Sequence, residues 1–221
     1  DEKAVKRGVL HMMNNTGQSC NAPSRMLVER SIYDRVVEEA AEVAKAVKVG
    51  PASEHGRHIG PVVNKRQWDQ IQGFIQKGID EGARLVAGGL GLPEGMNKGY
   101  YVRPTIFADV TPGMTIEREE IFGPVLSIIP FEDEADAVKI ANDTPYGLTN
   151  YVQTQDGTRA NRMAMSLKSG MVEMNGKPRG AGAPFGGVKA SGRAREGGIW
   201  GLEEFLEAKA ISGWTGELAA E

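Results

Sequence analysis

The chain has 221 residues, a single cysteine, 29 glycines and a formal net charge of −3. That length is enough for one large domain or two small ones with a sizeable core, and glycine stands at nearly twice its usual level of roughly 7%. With 40% hydrophobic and 25% charged residues and no glycine period, the composition excludes disorder and collagen. The charge gives no case for nucleic acid or an anionic membrane, and a lone Cys20 excludes an internal disulfide.

The opening residues, Asp1 to Arg7, are charged and lack the apolar stretch of a signal peptide. No run approaches about 18 uninterrupted apolar residues, so a cytoplasmic protein is expected. A first helix is expected from Ser31, with Asp34 at capping-box spacing. Tyr33, Val36, Val37, Ala40, Val43, Ala44 and Val47 form one apolar stripe, and Gly50-Pro51 stops it. After a polar loop over 52–60, a second helix starts at Asn64, with Gln67 three residues on. It carries Trp68, Ile71, Phe74, Ile75 and Ile79 and ends near Gly82. Residues 83–87 read as a short strand. Residues 90–99 read as loop, and 100–107 as a strand that Pro104 marks as an edge. Val125 to Ile129 is an apolar run of buried-strand type. A helix over 134–141, a strand over 148–154, a helix capped by Asp156 and a strand over 171–174 follow. Strand and helix alternation from Ala83 onward predicts an α/β layer fold with a mostly parallel sheet, in one domain. Beyond Asn175, Gly176, Gly180, Gly182, Gly186, Gly187 and Gly192 crowd into a loop at the end of a strand, where such sheets build their sites.

Cys20 lies in Asn14-Asn15-Thr16-Gly17-Gln18-Ser19-Cys20-Asn21. A lone cysteine is often a small buried hydrophobe, but no apolar stripe includes this one. A thiol in a polar loop beside backbone N–H groups has the setting of a nucleophile. On chemistry alone both readings stay open. His55 and His58 lack further metal ligands in sequence, so no metal site is expected. His11 is either a base for a cysteine hydrolase or a packing residue beside Met12 and Met13. The run Gly180-Ala181-Gly182-Ala183-Pro184-Phe185-Gly186 superficially matches a dinucleotide fingerprint, with Glu203 some twenty residues on. Pro184 interrupts the helix that such a motif should open. Glu119 and Glu120, taken alone, read as a solvated face.

Taken in order, these segments resemble the aldehyde dehydrogenase superfamily from Gly8 to Lys209. Asn15-Thr16-Gly17-Gln18-Ser19-Cys20 resembles the catalytic-cysteine motif. Glu120-Ile121-Phe122-Gly123-Pro124-Val125 resembles the nicotinamide-side cofactor motif. Pro145-Tyr146-Gly147-Leu148 and Gly170-Met171-Val172-Glu173-Met174-Asn175 resemble two further blocks, and Pro184 to Gly192 resembles the active-site loop. The resemblance implies a three-layer α/β catalytic domain over 1–192, with a C-terminal helix and tail over 193–221 as a candidate oligomerisation segment. It makes Cys20 the nucleophile that converts an aldehyde to a carboxylic acid through a thiohemiacetal and a thioester, with NAD or NADP as cofactor. The backbone N–H of Cys20 is a candidate oxyanion donor. Glu120 would hold the nicotinamide ribose and Phe122 would pack near the nicotinamide. Asn175 and Phe185 would lie around the substrate pocket, and Glu196 on the proton path. Glu207 and Lys209 match a structural Glu-x-Lys.

The family's dinucleotide-binding domain and the glutamate of its general-base motif both precede the cysteine. Only 19 residues stand there in this sequence, and Glu2, between Asp1 and Lys3, does not match. The chain therefore resembles the C-terminal half of such an enzyme and is expected to be inactive alone. A homodimer or tetramer, binding a small aldehyde and neither nucleic acid nor membrane, is expected of the full-length form. A cysteine hydrolase or thioesterase and a non-enzymatic binding domain are the alternatives. Ser212 to Gly216 makes a poor continuous strand for assembly.

Overall fold

The computed structural model describes residues 2–213 and 216. Its elements are, in order, α1 (Glu2–Met13), β1 (Arg25–Glu29), α2 (Tyr33–Lys45), α3 (Lys65–Asp80), β2 (Arg84–Ala87), β3 (Thr105–Ala108), α4 (Thr115–Arg118) and β4 (Val125–Phe131). They continue with α5 (Glu134–Asn142), β5 (Thr149–Val152), α6 (Gly157–Ser166), β6 (Met171–Met174) and α7 (Gly198–Glu203).

β4 organises the core. Its apolar run is buried on both faces, as in a central parallel strand. Leu126 and Ile128 point to one side, where Val9, Met12 and Met13 of α1 and Val36, Val37 and Ala40 of α2 cover them. Val125 and Ile129 point to the other, against Ile71 and Ile75 of α3, Ile116 of α4 and Ile140 of α5. The strand order is β1-β4-β3-β2. β4 is parallel to both neighbours, and β2 is antiparallel to β3. β5 and β6 form a separate parallel pair. The fold is therefore the expected α/β arrangement of a mostly parallel sheet between helices.

Several local expectations hold. Asn64 Oδ1 accepts the Gln67 N–H at 2.9 Å and caps α3, and Asp156 accepts from Thr158 and Arg159 at the start of α6. Others are corrected. The Ser31 cap does not form: a short 3-10 turn over Arg30–Ile32 precedes α2, and Ser31 Oγ donates to Glu29 instead. The strand expected over 100–107 begins only at Thr105 and is internal, because Pro104 stands just before the ladder and costs it no donor. α1 and β1 were not foreseen. α1 supplies Val5, Val9, Met12 and Met13 to the core, and β1 gains its identity by pairing with β4 from Arg25–Ser127 to Glu29–Phe131.

Candidate active site

The Cys20 segment leaves α1 through a turn in which Asn15, Thr16 and Gly17 all take left-handed backbone angles, at φ 50°, 57° and 71°. Thr16, β-branched and buried, is an outlier in this region. Its hydroxyl donates to the Gly60 carbonyl at 3.0 Å, which helps hold it there. Gly17 has no substitute: a Cβ there would sit on the Gly123 carbonyl. That close approach lays the Cys20 segment on the turn Glu120–Pro124. Gln18 braces it further. Its Oε1 accepts the Val63 N–H at 2.9 Å, and its amide and that of Asn15 each bond the other's carbonyl. Cys20 itself is exposed and free.

The opposing turn runs between α4 and β4. Phe122 takes φ 56° and is 36% exposed, a large ring held outward by a left-handed backbone. Gln67 fixes this turn. Its Nε2 donates to the carbonyls of Ile121 and Phe122 at 3.1 and 3.0 Å. In sequence Gln67 reads only as the third residue of a capped helix, so this use is invisible there. Glu120 is exposed beside Phe122.

Cys20, Glu120 and Phe122 line one cavity of about 1330 Å³, together with His11, Gly147 and Tyr151. Tyr151 is the residue that sequence reasoning missed here. Its hydroxyl donates to the Asn21 carbonyl at 2.8 Å, next to Cys20, and its ring meets His11 edge-on with centroids 4.9 Å apart. Burial above all, with Glu173 nearby, pushes the Tyr151 phenol up to about 12, so it remains a donor at neutral pH. His11 thus packs in the aromatic contact, and among the described residues no hydrogen bond joins it to Cys20.

Asn175, Phe185 and Glu196 do not line this cavity. Asn175, at φ 54°, closes the end of β6, where its Oδ1 accepts from Thr154 N. Phe185 and Glu196 face each other as an isolated antiparallel bridge, exchanging two backbone bonds of 2.7 Å, and Arg179 stacks over the Phe185 ring. This loop is docked by glycines. A Cβ on Gly170 would meet the Gly186 carbonyl, Val188 N–H donates to Gly147 O, and Gly147 N–H donates to Ser191 Oγ. The blocks at 145–148, 170–175 and 184–192 thus form a second assembly, which lends Gly147, Leu148 and Ser191 to the same cavity. Among the described residues no group of three or more metal-ligating side chains occurs. His58 Nε2 lies 3.0 Å from its neighbour Pro51's carbonyl.

The comparisons with known proteins settle the family. The family model described as aldehyde dehydrogenase family matches residues 1–211. The chain belongs to the aldehyde dehydrogenase family. It is 50% identical over 215 residues to the 3-succinoylsemialdehyde-pyridine dehydrogenase of a Pseudomonas species, covering 97% of this chain and 45% of that protein. Among solved structures it is similar to an aldehyde dehydrogenase from Bartonella henselae, with a TM-score of 0.94 and 61% identity over 97% of this chain and 45% of that one. It is also similar to a mutant aldehyde dehydrogenase C from Pseudomonas syringae in complex with NAD+ and octanal. There the TM-score is 0.94, with 44% identity over 98% of this chain and 45% of that one. The chain spans about half the length of the relatives it matches.

Proposed function

We propose that this chain is the nucleophile-bearing half of an NAD- or NADP-dependent aldehyde dehydrogenase, with Cys20 as nucleophile. The observation that carries the proposal is the Gly17–Gly123 contact. It brings the thiol segment and the turn bearing Glu120 and Phe122 to one cavity. The residues present suit a nicotinamide dinucleotide: Phe122 offers an exposed ring held outward, and Glu120 a carboxylate beside it for ribose hydroxyls. Such a dinucleotide, when bound, accepts the hydride. Cys20 Sγ adds to the aldehyde carbon to give a thiohemiacetal, and loss of hydride leaves a thioester that water releases as the acid with the thiol restored. The backbone N–H of Cys20 is placed in this reading as an oxyanion donor. In this reading Asn175 and Phe185, which lie outside the lining of that cavity, border the substrate side, and Glu196 the proton path. The octanal bound by the Pseudomonas syringae relative supports an aldehyde substrate.

A working thiol in a chain with no second cysteine suits a reducing, cytoplasmic compartment. The exposed Ile199, Trp200, Leu202, Phe205 and Leu206 support a role for segment 193–221 in forming a homodimer or tetramer. The segment Ser212 to Gly216, whose sequence suits a strand poorly, falls partly on residues 214 and 215, which lie outside the described residues. The test is a Cys20→Ser variant in the full-length polypeptide carrying this sequence. Formation of reduced nicotinamide from aldehyde should fall by a factor on the order of a thousand or more. Turnover at the unsubstituted rate would overturn the reading.

A further inference from the structure

The C-terminal end of α5 collects three cations from three different segments. Arg25, on the strand that follows Cys20, donates to the carbonyls of Ile140 and Ala141 at 3.2 and 3.0 Å. Arg118, two residues before Glu120, donates to the Asp143 carbonyl at 2.9 Å and to its carboxylate at 3.1 Å. Lys189, inside the glycine-rich loop, donates to the carbonyls of Asn142 and Thr144 at 2.9 and 3.1 Å. A helix end leaves such carbonyls without intrahelical partners and carries partial negative charge, so cations suit it. What sets this end apart is that each cation belongs to a segment bearing one of the motifs around the cavity.

Arg25 does more than cap. Its Nη1 lies 2.7 Å from Glu117 Oε1, in a pair whose side chains are 16% and 1% exposed. The second Glu117 oxygen accepts the Gly113 N–H at 3.2 Å. One guanidinium thus ties the strand leaving Cys20, the helix entering the Glu120 turn, and α5. Both sides have further ties. The Cys20 segment is also held by Thr16, Gln18 and the Tyr151 bond to Asn21. The Glu120 turn is held by Gln67, by Arg118 on Asp143, by Ser127 Oγ on the Ile116 carbonyl, and by Arg25–Glu117 at the helix that leads into it.

We propose that Arg25 is a positioning residue, which sets the Glu120 turn against the Cys20 segment through Glu117 and the C-terminal end of α5. This rests on the reading of Cys20 and Glu120 given above. The consequence is specific: freeing Glu117 lets the Glu120 side move, and cofactor binding weakens more than the chemical step slows.

The experiment uses the full-length polypeptide carrying this sequence and compares Arg25→Met, Arg25→Lys and the double variant Arg25→Met/Glu117→Met. NAD+ affinity is measured by calorimetry, KM and kcat by turnover, and stability by melting. Arg25→Met strands a buried carboxylate and should melt earlier, with the Kd and KM for NAD+ raised about tenfold and kcat changed less. The double variant replaces a buried pair by apolar side chains and should regain the melting temperature, while the weakened NAD+ binding persists. Arg25→Lys keeps the charge with a single donor point and should fall between, which preserves the test if Arg25→Met does not fold. Recovery of NAD+ affinity together with melting temperature in the double variant, or unchanged affinity in all three, would show a pair that serves the fold alone. An unsubstituted protein that neither binds NAD+ nor oxidises aldehyde would instead overturn the underlying reading.

Discussion

Two assemblies line the cavity, and each is closed by a glycine pressed on a carbonyl. In the first, Gly17 meets Gly123; in the second, Gly170 meets Gly186. What stands behind each contact differs. Gly123 leads into β4, a strand buried on both faces and covered by five helices. Gly170 leads into β6, one of two four-residue strands whose residues are mostly half-buried. The thiol and the proposed cofactor contacts are on the rigid side. The loops at Asn175, Phe185 and Glu196 are on the side with the thinner core. In the proposed reading, the firmer packing would lie on the side of the thiol and the cofactor contacts, and the thinner core on the substrate side.

The sharpest way to break this comparison is to load both glycines alike. Gly17→Ala places a Cβ on fixed backbone and forces alanine to φ 71°, so clash and strain add. We expect a loss of about 3 kcal/mol in denaturant unfolding, with turnover lost as the Cys20 segment shifts. Gly170→Ala meets a similar backbone carbonyl but without a left-handed backbone, so the clash acts without the added strain. The expected cost is about 1–2 kcal/mol. Equal losses would mean the second assembly is as unyielding as the first.

Gln67→Leu is the next test. It removes both side-chain bonds to the Ile121 and Phe122 carbonyls while leaving the Asn64 cap, which uses the backbone N–H of residue 67, in place. The expected cost is about 2 kcal/mol, with KM for the dinucleotide raised more than kcat is lowered. Asn175→Gly is its counterpart in the second assembly. It keeps the φ 54° backbone accessible, leaves the Thr154 N–H to water and should cost about 1 kcal/mol. A reversal of that order would move the precise side of the site to β6.

Legibility in the sequence followed the same division between local and distant causes. The caps at Asn64 and Asp156 and the apolar run of β4 were readable because their causes lie within a few residues. α1 has Val5, Val9, Met12 and Met13 at helical spacing, but lysines and arginine among them obscure the stripe, and only burial against the sheet reveals it. β1 has just three apolar residues and owes its state to pairing with β4. In the site, the motif blocks could be recognised in order, yet their meeting could not. Gly17 touches Gly123 through the absence of side chains, which leaves no mark in any periodicity. Gln67 and Arg25 act across 55 and 92 residues of chain.

The smallest expected effects come from a matched pair of tyrosines, one on each side. Tyr33 is buried. Its hydroxyl donates to the Ile128 carbonyl at 3.3 Å and accepts the Asp109 N–H at 2.6 Å. Tyr151 donates to the Asn21 carbonyl, beside Cys20. Burial chiefly pushes both phenols from 10.0 up to about 12. The folded chain therefore keeps protons that the unfolded chain releases from about pH 10. The stability these groups contribute is intact below pH 10 and is lost as pH rises toward 12. Unfolding followed against pH should show a decline over that window, and each Tyr→Phe variant should flatten part of it. At neutral pH each should cost about 1 kcal/mol. Their effects on chemistry should separate: Tyr33→Phe leaves the rate of Cys20 alkylation unchanged, while Tyr151→Phe alters it, because only Tyr151 holds the segment that carries the thiol. If both variants alter alkylation alike, the segment is held through the fold as a whole, and the division between the two assemblies fails at its closest point to Cys20.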